Sequence, residues 1–164
     1  MYRIKKIILF VCAVFFVFQN ICFAFLFAVL GDNQGTDKIL ESIIHDINKD
    51  KSISFVVNCG DLTKYSTSRE YKKYIHLTNL SRVKFYNVIG NHDIRSNGKS
   101  IFENYFGRTF YSWDYGNSHF ICLDNVSQNG LGEKQFKWLL KDLKNNFGKN
   151  IFVFMHKPFF DITG

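Results

Sequence analysis

The stretch VKFYNVIGNHD, residues 83–93, is the part of the chain whose reading decides the fold. Its first seven residues are a mostly apolar run with the β-branched and aromatic character of a buried strand. Its last four, Gly90-Asn91-His92-Asp93, turn abruptly polar. The same punctuation recurs on either side. Ile53–Val57 is a second apolar run and closes on Asn58-Cys59-Gly60-Asp61. Phe25–Leu30 closes on Gly31-Asp32, and Ile151–Met155 closes on His156. Between these runs lie segments with helical spacing: Asp37–Asn48, with Ile39, Leu40, Ile43, Ile44 and Ile47; Arg69–Asn79; and Glu133–Asn145, with Phe136, Leu139, Leu140 and Leu143. Phe110–Tyr115 and His119–Asp124 read as a strand pair around a Gly116-Asn117 turn. Strands alternating with helices predict an α/β fold with a largely parallel sheet, covered on both faces.

Strand C-termini of a parallel sheet share one edge, and ligands bind at that edge. Asp32, Asp61, Asn91-His92 and His156 are therefore expected to converge there. Gly31, Gly60 and Gly90 precede three of the four points and allow sharp turns or close backbone approach. Each mark alone reads as a turn former or helix cap; the joint pattern is what carries the inference. Asp, Asn and His form a mixed oxygen and nitrogen donor set, which suits Mn, Fe, Zn, Co or Ni better than Ca or Mg. Two such ions can clamp a phosphoryl group and activate a water. One carboxylate must then reach both, and Asp61, on a central strand, is the natural bridge.

Composition agrees with one exported domain. The chain has 164 residues, 46% apolar and 21% charged, with one Pro, which excludes a disordered or collagen-like polymer. Its 19 Phe residues read as a coding bias without functional meaning. Of the net charge of +7, Arg3, Lys5 and Lys6 supply three positive charges. The mild remainder shows no basic track with interleaved aromatics, so no nucleic-acid partner is expected. Residues 1–24 combine a short basic start, the apolar run Ile7–Phe18 and a Cys22-Phe23-Ala24 terminus, the pattern of a cleaved secretory signal peptide. The alternatives are an uncleaved membrane anchor over residues 7–30 and a buried core segment. Export leaves Cys59 and Cys122, which read as buried free thiols.

In this setting Gly60-Asp61, Gly90-Asn91-His92-Asp93 and the strand-end His156 resemble the calcineurin-like metallophosphoesterases, in order and spacing, over roughly residues 25–164. The stretch from Phe110 to Asp124 is similar to the strand pair that follows the motif in secreted members. The resemblance implies a metal-dependent hydrolase of phosphate mono- or diesters with two divalent transition-metal ions. It implies Asp32 on the first metal, Asp61 bridging, and Asn91 and His156 on the second. His92 would stand at the leaving-group oxygen, with Asp93 orienting it through a hydrogen bond.

Two positions depart from the family. Its D-x-H opening is here Asp32-Asn33-Gln34, so Gln34 takes the place of an imidazole ligand. Its late G-H-x-H element is absent, so residues 25–164 are expected to be the N-terminal part of such a domain. The expected architecture is an incomplete αββα sandwich, mainly its first sheet with flanking helices, leaving one sheet face uncovered. The alternative function is a non-catalytic remnant with weak metal or partner binding. Lys64 stands where an Fe(III)–tyrosinate site needs Tyr, so no such site is assigned.

Overall fold

The computed structural model describes residues 24–128 and 130–158. The proposed signal peptide therefore lies almost wholly outside the described residues. Among those described, no helix is long and apolar enough to cross a membrane.

Strands β1 (Leu26–Leu30), β2 (Ile53–Asn58) and β3 (Lys84–Asn87) form a parallel sheet in that order. Helices α1 (Asp37–Lys49) and α2 (Ser68–Thr78) are its crossovers. They bury the periodic residues Leu40, Ile44 and Ile47 on one, and Tyr71, Tyr74 and Leu77 on the other. All of these but Ile47 pack with Leu62, Ile89 and Phe102 into an apolar layer on one face of the sheet. Helix α3 (Gly98–Phe106) contributes Phe102 and was not read from the sequence. Its apolar pairs Ile101-Phe102 and Tyr105-Phe106 have helical spacing, but the Ser96-Asn97-Gly98 start reads as loop.

The expectation of a single sheet with a bare face is corrected. A second three-stranded sheet is present: β4 (Tyr111–Tyr115) runs antiparallel to β5 (Ser118–Cys122), and β5 runs parallel to β6 (Asn150–Phe154). Phe55, Val57, Val88, Phe120 and Cys122 are the buried centre of the layer between the sheets. Phe27 stacks on Phe55 at 5.2 Å, and Phe55 meets Phe120 edge-on at 5.1 Å. Phe152 stacks on Phe120 at 5.0 Å. The abundant phenylalanines thus have a packing role: rings from both sheets fill the interlayer space, each burying a large apolar area. The edge strands also expose apolar residues, Leu26 and Val29 on β1 and Ile151 and Val153 on β6.

Alternation along β4 and β5 sends Trp113, Phe120 and Cys122 into this layer. Ser112 and His119 face helix α4 (Gly132–Asn145) through Asp142. The order of layers is helices, sheet, sheet, helix.

Candidate metal centre

The turns after β1 and β2 are built to bring carboxylates together. Asp32 and Asp61 both adopt left-handed backbone, with φ of 53° and 56°. Non-glycine residues pay about 1–3 kcal/mol for such conformations, and surrounding contacts must enforce them. Here the Cys59 amide donates to the Leu30 carbonyl at 2.7 Å, and the Asp32 amide to the Gly60 carbonyl at 3.0 Å. Gly60 has φ +101°, and a Cβ there would lie 2.8 Å from His156 Nδ1. A Cβ on Gly90 would collide with the Asp61 amide and carboxylate. Glycine is required at both positions for the loops to close on one another. Gly31 has no such crowding, its nearest contact being an ordinary 3.4 Å.

The result is a cluster in which Asp32, Asp61 and His156 offer ligand atoms that all lie within 4.8 Å of one another. Asp61 is buried and Asp32 exposed, so the cluster opens to solvent on one side. Asp61 Oδ1 accepts the His92 amide at 2.9 Å, and Oδ2 accepts the Gln34 side-chain amide at 3.0 Å. His156 comes from the end of β6, so the site draws on both sheets rather than on the edge of one, which corrects the expectation. Its Nδ1 lies 3.0 Å from the Cys59 carbonyl, which can only accept, so Nδ1 carries the hydrogen. Nε2 then sits 2.9 Å from Asn91 Oδ1 and 3.5 Å from Asp61 Oδ1. A neutral ring in this pose turns a lone pair onto oxygens that are themselves acceptors. Acceptors crowded on one point without a donor between them are the donor set of a cation, and the residues fit a divalent metal ion.

His92 occupies the rim. Its Nε2 lies 3.9 Å from Asp61 Oδ2, and its Nδ1 lies 3.0 Å from the Lys64 carbonyl. Asp93 differs from the expectation. It is fully buried, and its carboxylate accepts from the Gly90, Leu62 and Thr63 amides and the Thr63 hydroxyl at 2.9–3.1 Å. None of these bonds reaches the His92 ring. Asp93 joins the Gly60-Asp61 loop to the Gly90–Asp93 loop, and so sets where His92 stands through the backbone. Burial pushes its carboxyl above the usual carboxylate range, against the pull of those four donors. Burial likewise raises the Cys59 thiol, helped by the Asp32 charge nearby. Cys59 and Cys122 are both free, Cys122 buried and Cys59 half-buried.

Arg95 was missed by sequence reading. Its guanidinium lies against His92 Nε2 at 3.2 Å and donates to the Lys64 carbonyl at 3.2 Å. One arginine two positions past Asp93 gives no signal in a single sequence.

Residues 25–162 match the model of the calcineurin-like phosphoesterase family. The chain belongs to that family. A probable glycerophosphodiester phosphodiesterase, GpdQ, from Arcobacter nitrofigilis is 32% identical over 131 residues, which are 71% of this chain and 46% of that protein. The chain thus spans about half the length of this curated relative. In shape, it resembles a crystal structure of a dimetal phosphatase from Danio rerio, with a TM-score of 0.69. That likeness covers 82% of this chain and 70% of that one at 14% identity, and it bears on the fold of this calcineurin-like phosphoesterase alone.

Proposed function

We propose that the protein is an exported, metal-dependent phosphoesterase that hydrolyses small phosphate mono- or diesters at a two-metal site. Family membership and the acceptor cluster support metal-dependent phosphoester chemistry. The single observation that carries the reading is the convergence of Asp32, Asp61 and His156 with Asn91 Oδ1 on one point. The names of the relatives point the same way, one a probable phosphodiesterase and the other a dimetal phosphatase. Export rests on the pattern of residues 1–24.

Asp32 and Asp61 would hold one ion, and Asp61, Asn91 and His156 the other, drawn from Mn, Fe, Zn, Co or Ni. Bound there, divalent ions supply Lewis acidity toward a phosphoryl oxygen and make a water more acidic. The chain's own residues do the rest. Asp61 is held for a bridging role by the His92 amide on one oxygen and Gln34 on the other. Gln34 therefore serves by fixing Asp61 with its amide hydrogens. His92, with Nδ1 committed to the Lys64 carbonyl, turns Nε2 toward the rim where a leaving-group oxygen departs. Once the ring also carries a proton on Nε2, it hands that proton to the leaving oxygen, and proton delivery by a positioned imidazole contributes about 10²–10⁴-fold in rate.

The test is turnover of a chromogenic phosphomonoester and phosphodiester by the full chain with added Mn²⁺, alongside metal content. His92→Ala should keep its metal and lose about 10²–10⁴ in kcat. A chain that binds metal stoichiometrically and turns over neither ester is a non-catalytic binder, and the phosphoesterase reading fails.

A further inference from the structure

The geometry points to Arg95 as a substrate-binding residue of this site, donating to the phosphoester oxygen on the His92 side. This assignment rests on the phosphoesterase reading of the cluster, and it adds a side-chain cation beside the acceptor set.

Four observations carry it. First, position: Arg95 Nη2 is 3.2 Å from His92 Nε2, which is itself 3.9 Å from Asp61 Oδ2. Second, hydrogen count: the Lys64 carbonyl fixes the hydrogen on His92 Nδ1, so in the neutral ring Nε2 is the acceptor and Arg95 the donor. An oxygen arriving at Nε2 therefore meets an arginine N–H in the same place. Third, spare capacity: a guanidinium has five N–H donors, and the Lys64 carbonyl and His92 engage only one each on Nη1 and Nη2. Arg95 is exposed.

The fourth observation is the effort spent on placing it. The Arg95 carbonyl accepts from Ser66 Oγ at 2.6 Å and from the Gly98 amide at 2.8 Å. Ser66 and Ser96, the residue after Arg95, are both left-handed, with φ of 55° and 51°. Gly98 has no room for a Cβ against the Asp93 carbonyl and Ser66. The partner loop is fixed too: Glu70, through its capping box with Thr67, accepts the Lys64 and Tyr65 amides at 3.2 Å. Strained backbone is retained where function requires it. A solvated surface arginine needs none of this; a fork that must meet a phosphoryl oxygen does.

The experiment is titration of the metal-loaded full chain with inorganic phosphate by calorimetry, for wild type, Arg95→Ala and Arg95→Lys. A lost charge-assisted hydrogen bond should weaken phosphate about 10–100-fold in Arg95→Ala. Arg95→Lys should recover part of it, because it restores the charge without the fork. Metal content and melting temperature should match wild type in both. Phosphate affinity within twofold of wild type in Arg95→Ala, with metal retained, overturns the assignment. So does a wild-type chain that holds metal but no phosphate. Ester turnover is scored separately: a wild type that binds phosphate through Arg95 yet hydrolyses nothing defeats the catalytic reading and leaves this one standing.

Discussion

Two clusters of polar groups lie inside this protein, and they are wired in opposite ways. Around His119, on the α4 side of the second sheet, every charge meets its complement. Lys149 Nζ donates to Asp114 Oδ2 at 2.6 Å, Asp114 Oδ1 faces His119 Nδ1 at 2.7 Å, and His119 Nε2 faces Asp142 Oδ2 at 2.6 Å. Ser112 donates to the remaining Asp142 oxygen at 3.0 Å. Lys149 and then His119 hold the Asp114 carboxyl below its ordinary value. Around Asp61, by contrast, two carboxylates, an amide oxygen and an imidazole nitrogen face one another. Among the described residues no lysine or arginine pairs with Asp32 or Asp61; the groups within ion-pair reach of Asp61 are the rings of His92 and His156. The first cluster is complete as it stands. The second has the donor set of a cation, and its two aspartates are held in left-handed conformations. Residue types are nearly the same in both, so the wiring separates structure from function.

The largest expected effect tests the second cluster. Asp61→Asn should abolish stabilisation by Mn²⁺ or Zn²⁺, which in wild type reaches about 2.7 kcal/mol at a metal concentration 100-fold above Kd. Without metal, relief of the like-charge contact with Asp32 is offset by the loss of one of the two hydrogen bonds that Asp61 accepts, from the His92 amide and from Gln34, so the variant should melt within a few degrees of wild type. Thermal melts with and without metal decide it. A variant that metal still stabilises breaks the contrast between the clusters.

His119→Ala should show the reverse signature. Asp142 would be left facing a cavity with one donor gone, and half-exposed Asp114 would lose a partner. Removing one member of a buried ion pair costs about 3–5 kcal/mol, and the exposure of Asp114 lowers the expected loss to about 2–3 kcal/mol. The increment in melting temperature on adding metal should be unchanged. Urea unfolding with and without Mn²⁺ measures both. A lost metal response would mean that the two clusters are coupled.

The ends at Asp32, Asp61 and Asn91-His92 were legible in the sequence because each follows a mostly apolar run and the parallel β1, β2 and β3 carry such ends to one edge; His156 ends a strand of the other sheet, and only the packing of the two sheets brings it there. The β1, β2 and β3 positions and helices α1, α2 and α4 followed from periodicity. The second sheet was underestimated. Phe110–Tyr115 and His119–Asp124 were read as a strand pair, and Ile151–Met155 as a strand, but nothing local says that β5 and β6 pair across 27 intervening residues, Cys122 to Asn150. Sheet pairing depends on which faces bury which rings, and Phe55 against Phe120 is a contact that only the assembled layers create. Asp93 was placed in the right loop with the wrong partner. Its acceptors' donors, Leu62 and Thr63, lie in another loop, and a motif cannot show which of two neighbouring groups a side chain meets. Arg95 was invisible for the same reason.

Asp124 sharpens the contrast at the smallest scale, because it is a third buried carboxylate and lies near neither cluster's bonds. It accepts the Ser127 amide at 3.0 Å, the Ser127 hydroxyl at 2.5 Å and the Val126 amide at 3.2 Å, and it pairs with Lys99 at 3.1 Å. Burial alone would raise its pKa; the Ser127 and Thr109 hydrogen bonds and the Lys99 charge outweigh it, and the net direction is below the ordinary value of 3.8. A carboxyl lowered by folding contributes stability at pH values above its unfolded pKa, and that contribution disappears as the pH falls through its folded pKa. Wild type should therefore lose stability below about pH 4. Asp124→Asn should cost about 1 kcal/mol near neutrality, where the charged bonds are made. It should also lose less than wild type between about pH 5 and pH 3, since an amide does not titrate there. Urea unfolding at those two pH values, with Asp114→Asn as a second lowered carboxyl for comparison, gives the difference. A wired, structural carboxylate shows this acid signature and an unchanged metal response. If Asp124→Asn instead flattens nothing in acid and weakens metal binding, then complete local wiring does not mark a group as structural, and the distinction between the two clusters fails with it.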